Sequence, residues 1–200
     1  MSKNNAFSIF TPEYWAAASS EFRNLRSLVF AGLTVALGTV LSAISIPVGM
    51  NLHVTFAFVV LAFGSMVFGP VVGLSAGVAY DLVGFLLMPS SVFFPGYTLS
   101  SMLEFFIYGI FLYQCRISVV RVFLCKLIVD FGIHVGLGSL WSQILFDKGY
   151  YYFFVKSLVK NAVMLPVEVL MLLVLLRIFL PVLEHGDIVP KRKSRHIPFL

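Results

Sequence analysis

Apolar runs long enough to cross a lipid bilayer follow one another along this chain with short connections, and this constrains its fold more than any other feature. The runs cover residues 25–46, 53–68, 71–88, 97–113, 119–146 and 153–183. A hydrocarbon core about 30 Å thick takes roughly 20 apolar residues of helix, so 200 residues hold about six spans and little else. With 60% of the residues hydrophobic and 12% charged, the runs lack the polar faces of a water-soluble domain. The expectation is an all-α integral membrane protein with six transmembrane helices in a compact bundle. A cytosolic N-terminal segment (1–24) precedes the membrane-embedded domain (25–183), and a basic cytosolic tail (184–200) follows it.

Punctuation and charge give the topology. Gly69 and Pro70 supply a tight turn between the second and third runs. Residues 89–96 form a connection with two prolines and paired aromatics, and Pro166 predicts a kink in the last run. Lys3, Arg23 and Arg26 precede the first run, Arg116 and Arg121 separate the fourth from the fifth, and Lys191, Arg192, Lys193 and Arg195 follow the sixth. The opposite connections carry only Lys148. Six crossings place these three basic regions on one side, which is cytosolic by the positive-inside bias, with both termini there. The net charge of +5 is thus a topology signal that can also grip anionic lipid, and it does not indicate nucleic acid. Cys115 and Cys125 lie beside a cytosolic connection, which argues against a disulfide. The segment up to Ser20 has no apolar stretch with a cleavage site, so it does not read as a signal peptide.

Small residues mark where helices can approach closely. Gly69, Gly73 and Gly77 recur at steps of four, with Gly84 a heptad later, giving the third run a nearly bare face suited to packing within the bundle. Gly32, Ala36 and Ala43 form a comparable face on the first run, which no earlier span covers. That face is open to a separate membrane subunit as well as to the bundle.

Asp81, Glu104, Asp130, His134, Lys160 and Glu168 lie in or near the runs, where ionisable groups are costly and point to a solute pathway or binding cavity. The chain has no Gly-rich loop ending in Gly-Lys-Ser/Thr, no His-Glu-x-x-His pair and no Gly-x-Ser-x-Gly, so it reads as no enzyme, with no metal and no cofactor. Nor are there halves with matching broken helices, as many self-contained carriers have. An autonomous proton-coupled carrier, with Asp81, Glu104 or His134 as a relay, stays open beside a solute binder that borrows energy from partners.

Phe68-Gly69-Pro70-Val71-Val72-Gly73, Tyr80-Asp81-Leu82-Val83-Gly84, Phe93-Phe94-Pro95-Gly96-Tyr97-Thr98-Leu99-Ser100 and Ile107-Tyr108-Gly109-Ile110-Phe111 follow in an order and spacing that resembles one family. It is the folate-family substrate-binding subunit, or S component, of energy-coupling-factor (ECF) vitamin transporters. Gly138-Ser139-Leu140-Trp141-Ser142, then Lys160-Asn161 and Pro166, are similar to the same family, and the likeness covers roughly residues 25 to 180. The run from Phe93 to Ser100 is its most specific part. The Gly-Pro turn and Asp81 are shared with S components for other vitamins, so another vitamin remains the alternative. The resemblance implies a six-helix bundle that binds a vitamin from outside and associates with a membrane T component and two ATPase subunits. It also implies a docking face on the first helix, where the family's Ala-x-x-x-Ala motif reads Gly32 and Ala36 here.

Folate joins a flat pterin, an aminobenzoyl ring and a glutamate with two carboxylates, so its site needs aromatic faces, hydrogen-bonding groups and positive charge. Phe93, Phe94, Tyr97 and Trp141 sit near outer helix ends, where they stack on the rings or anchor at the interface. Thr98 either bonds the ligand or caps its helix. Lys156 and Lys160 share one helix face and suit the carboxylates. Asp81 accepts from a pterin amino group or holds a structural partner such as His134 or Lys160. Glu104 and Glu168 read as interior hydrogen-bonded groups.

Overall fold

The computed structural model describes residues 11–49, 52–87, 93–115, 117–146 and 149–186. The expectations for Lys3, for residues 88–92, for Arg116 and Lys148, and for the basic cluster from Lys191 to Arg195 lie outside the described residues. Helix α1 covers Pro12–Ser20 and runs through a 3₁₀ turn, Glu21–Arg23, into α2, Leu25–Ala43. Strands β1 (Ser45–Gly49) and β2 (Leu52–Thr55) follow, then α3 (Ala57–Leu87) and α4 (Pro95–Leu112). Helix α5 (Val119–Leu127) continues through a π-helical segment, Ile128–Leu137, into α6 (Gly138–Phe146), and α7 spans Tyr150–His185. Three of these helices, α2, α3 and α7, are long and apolar enough to cross a membrane.

Local chemistry sets the boundaries. Asn24 caps α2 by accepting from the Arg26 N–H at 3.2 Å, and Ser118 caps α5 through the Arg121 N–H at 3.3 Å. Pro12 and Pro95 stand in the first turns of α1 and α4, where a missing N–H costs nothing. The first apolar run was expected to stay helical to residue 46 and the second to begin at 53. Instead, Pro47 biases Ile46 towards extended backbone, and the chain leaves α2 at Ala43 to form an antiparallel hairpin. Ser45 faces Thr55 and Ile46 faces Val54, with an irregularity between Pro47 and Gly49. This hairpin is the departure from the expected helices.

Gly69 takes a φ of 78°, outside the helical range, directly before Pro70. A side chain at Gly38 of α2 would meet both Leu61 Cδ1 at 2.8 Å and Tyr80 Cε2 at 3.1 Å. Nineteen residues of straight helix would separate Leu61 from Tyr80 by about 28 Å. The chain therefore doubles back at Gly69, and α3 is an antiparallel pair, 57–68 and 70–87, joined by the expected Gly-Pro turn.

The bare face of α3 packs on α4. A Cβ on Gly73 would lie 3.2 Å from the Phe105 carbonyl oxygen, and one on Gly77 would lie 2.6 Å from Met102 Cα. From the other side, a Cβ on Gly109 would lie 2.5 Å from Pro70 Cα. Two backbones thus meet where side chains are missing, as the glycine spacing predicts, whereas Gly84 faces open space. Phe68, Phe105, Tyr108, Leu172, Leu176 and Leu180 fill the core around this contact. The outer face of α2 stays bare: Gly32 has nothing within 4 Å of a built Cβ, and Val29, Leu33, Ala36, Leu37 and Val40 are exposed.

Residues 12–23 fasten one end of the bundle. Tyr14 donates its O–H to the Gly109 carbonyl at 3.2 Å, and Tyr113 donates to Glu21 Oε1 at 2.8 Å. Ser27 and Asn24 donate to the other Glu21 oxygen.

Replacing Gly77 by Leu must force α3 and α4 apart, with an overpacking cost of about 1 to 3 kcal/mol or more. The same change at Gly84 should be nearly neutral. Melting temperatures of the two variants in detergent check this, and equal shifts contradict the described α3–α4 contact.

Candidate ligand-binding site

The site begins with a change of helical pitch. On an α-helix, a step of eight residues turns a side chain about 80° away, whereas a π-helix, with about 4.4 residues per turn, rotates in the opposite sense every four residues. Passing from α5 into the π-helical segment therefore keeps Lys126, Asp130 and His134 on one face. All three border one chamber.

That inner chamber, about 340 Å³, is lined from every side of the bundle: Tyr80 from α3, Glu104 from α4, and Asn161 and Glu168 from α7 complete its polar wall. An outer, open chamber of about 770 Å³ lies between α4, α6 and the first turns of α7, bordered by Tyr97, Ser139, Ser142, Phe153, Lys156 and Lys160. His134, Ser157 and Lys160 border both chambers, so the two form one passage. Both volumes fall in the range of roughly 300–1,000 Å³ usual for small-molecule sites. The junction is braced where Ser157 donates to the His134 carbonyl at 3.2 Å and Asn161 donates to the Ser157 carbonyl at 2.8 Å.

Lys126 is 1% exposed. Its ammonium donates to Asp130 Oδ1 at 2.8 Å and to Glu168 Oε2 at 2.6 Å, and it stands 4.5 Å from the centre of the Phe58 ring. Both ion pairs and the cation–π contact are desolvated, so each partner depends on the others. This lysine is absent from the sequence-based candidates, although an Asp four residues on, within an apolar run, is the signal that marks it. Glu168, expected as an interior hydrogen-bonded group, is held in this way. Glu104 is not: His134 Nε2 stands 4.0 Å from its Oε1, beyond hydrogen-bond reach, and no described residue bonds to its carboxylate. Ser139 Oγ, buried at the outer chamber, and Asp130 Oδ2 also have no partner among the described residues.

The structure gathers Tyr97, His134, Lys156 and Lys160 around the passage. Phe94 packs edge-on against Trp141 at 5.6 Å and Tyr97 at 5.9 Å, an aromatic cluster of which Tyr97 borders the outer chamber. The Trp141 N–H is already committed to Ser100 Oγ at 2.9 Å, so its ring face is what remains. Thr98 donates to Asp81 Oδ2 at 2.6 Å. Asp81 thus has a structural partner, Thr98 rather than His134 or Lys160, and this bond ties α3 to α4. Phe93 packs on Phe85 at 5.4 Å, also towards α3. Among the described residues, no cluster of His, Cys, Asp and Glu could hold a metal ion.

Comparison with known proteins identifies the family. Residues 26–185 match the family described as ECF transporter, substrate-specific component. The folate transporter FolT of Clostridium novyi (strain NT) is 34% identical over 121 residues, covering 60% of this chain and 70% of that protein. FolT of Leuconostoc mesenteroides subsp. mesenteroides is 27% identical over 151 residues, covering 72% and 80%. A crystal structure of FolT bound with folic acid superposes with a TM-score of 0.65 at 29% identity, covering 74% of this chain and 89% of that one.

Lys126→Met leaves two buried carboxylates facing each other without a cation, and breaking a buried pair costs about 3 to 5 kcal/mol. The single variant should melt far below the parent. The neutral triple variant Lys126→Met, Asp130→Asn, Glu168→Gln should recover much of the loss. A single variant as stable as the parent contradicts the described triad.

Proposed function

The chain belongs to the family of substrate-specific components of ECF transporters, and from that premise we propose that it captures folate, or a close reduced derivative, from outside the cell for uptake driven by partner subunits. What carries the choice of folate is the match between that ligand and a passage graded along its length, with lysines and aromatics outside and carboxylates inside. The likeness to a FolT structure bound with folic acid supports the same choice. Lys156 and Lys160, one helical turn apart, meet the glutamate carboxylates. Tyr97, backed by Phe94 and Trp141, covers the rings. His134 borders both chambers, and the pterin end passes it into the inner one. Asp81, Thr98 and Phe93 hold α3 and α4 in register and act on the ligand through that support.

The protein spans the membrane six times. The spans are α2, the two halves of α3, α4, the continuous 119–146 segment and α7, with both termini cytosolic and the passage opening outwards. The N-terminal segment 1–24 and the tail 184–200 flank the embedded domain 25–183. The chain carries no phosphate-binding loop, so ATP hydrolysis falls to two ATPase subunits joined through a membrane T component. The bare face of α2 around Gly32 and Ala36 is where that component docks, because two helices approach most closely where neither has side chains.

Lys160→Met deletes a charge worth about 1.5 to 3 kcal/mol in a charge-assisted hydrogen bond, so folate should bind roughly ten- to a hundredfold more weakly by calorimetry. Pterin lacking the glutamate should bind the variant as it binds the parent. Equal losses for both ligands mean that the lysine does not read the tail. On the docking face, Gly32→Trp should abolish co-purification with the T component and uptake while folate binding persists. Retained uptake moves the docking face elsewhere.

A further inference from the structure

Charge in the inner chamber is unevenly satisfied. Lys126 serves Asp130 and Glu168, and its two short contacts take up their near oxygens. Asp130 Oδ2 has no hydrogen-bond partner among the described residues and is itself buried. Glu104 is the carboxylate left over. It is 9% exposed, it borders the chamber, and no described residue hydrogen-bonds to it. A carboxylate so enclosed and so free of partners is costly unless something else in the chamber donates to it. Among the described residues, His134 Nε2 comes to 4.0 Å from its Oε1, short of a hydrogen bond, which leaves the carboxylate open to a donor on the ligand.

We propose that Glu104 is the specificity-determining acceptor of this site and reads a paired N–H edge on the ligand's heteroaromatic head. Resting on the folate reading above, the geometry follows from the passage. A ligand whose carboxylates lie on Lys156 and Lys160 sends its other end past His134 and Ser157 into the inner chamber. The end that arrives there carries an exocyclic amino group beside a ring N–H, two parallel donors that match the two oxygens of one carboxylate. An amide in place of Glu104 offers one acceptor and turns an N–H towards a donor. Recognition of this kind rejects a ligand lacking the amino group much more strongly than a shape fit alone, because the carboxylate is then left unpaired.

The test compares the parent with Glu104→Gln by calorimetry in detergent, using folate, its 2-desamino analogue and p-aminobenzoylglutamate. The parent should prefer folate over the desamino analogue by at least about tenfold, as expected for one charge-assisted hydrogen bond. Glu104→Gln should reduce that preference to within about twofold and leave the affinity for p-aminobenzoylglutamate unchanged. Equal binding of folate and its desamino analogue by the parent overturns the proposal without any variant, so a misfolded Glu104→Gln protein cannot protect it. A preference that survives in Glu104→Gln overturns it too, as does an equal loss for all three ligands, which marks a structural role. A parent protein that binds none of the three removes the folate reading itself, and this inference with it.

Discussion

A buried lysine holds the interior of this bundle together. Lys126 stands between Asp130 on its own helix and Glu168 on α7, above the Phe58 ring at the start of α3, and so joins three separate stretches of chain at one charge. Ionic groups taken out of water are stable only when each is paired with good geometry, which makes the triad restrictive as well as cohesive. It fixes the rotation of the 119–146 segment, and that rotation aims His134 at the passage. With both nearby carboxylates committed to it, Glu104 remains the free acceptor.

Around that centre, the scaffold gains its compactness from missing side chains. The left-handed φ at Gly69 lets the chain reverse within the turn, Gly73 and Gly77 let α4 come to backbone contact with α3, and Gly109 receives Pro70 in return. The two chambers lie on the other side of α4, walled by the 119–146 segment and α7, where side chains are large and polar. One surface of α4 is therefore rigid packing and the other faces the cavity. The bond from Thr98 to Asp81 ties α3 to α4 near the start of α4.

The apolar runs, the Gly69-Pro70 reversal, the packing role of Gly73 and Gly77, and the shared face of Lys156 and Lys160 were legible in the sequence because each rests on local spacing. The hairpin was not, since Ile44 and Ile46 continue the apolar run and hydropathy does not distinguish strand from helix there. Lys126 was overlooked because it stands near Arg121 and reads as a flanking basic residue, although its partner Asp130 lies one helical turn further on. The partner of Asp81 is Thr98, across a connection that hydrophobic periodicity does not orient. Glu104 was read as a satisfied interior group. Its lack of partners emerges only once three other charges have been assembled in space. The π-helical pitch that aligns them leaves no mark in hydrophobic periodicity.

Trp15 and Trp141 are the two tryptophans of the chain, and of these Trp141 packs on Phe94, which packs on Tyr97 at the outer chamber, whereas Trp15 packs on Tyr14 and Phe106. A Trp15→Phe variant therefore leaves a single tryptophan near the outer chamber, and titrating it with folate while following its fluorescence tests the central claim most directly. Folate lodged in this passage must quench Trp141 saturably, at one ligand per chain. Saturable folate binding that leaves Trp141 emission unchanged would place the ligand elsewhere and contradict the assignment.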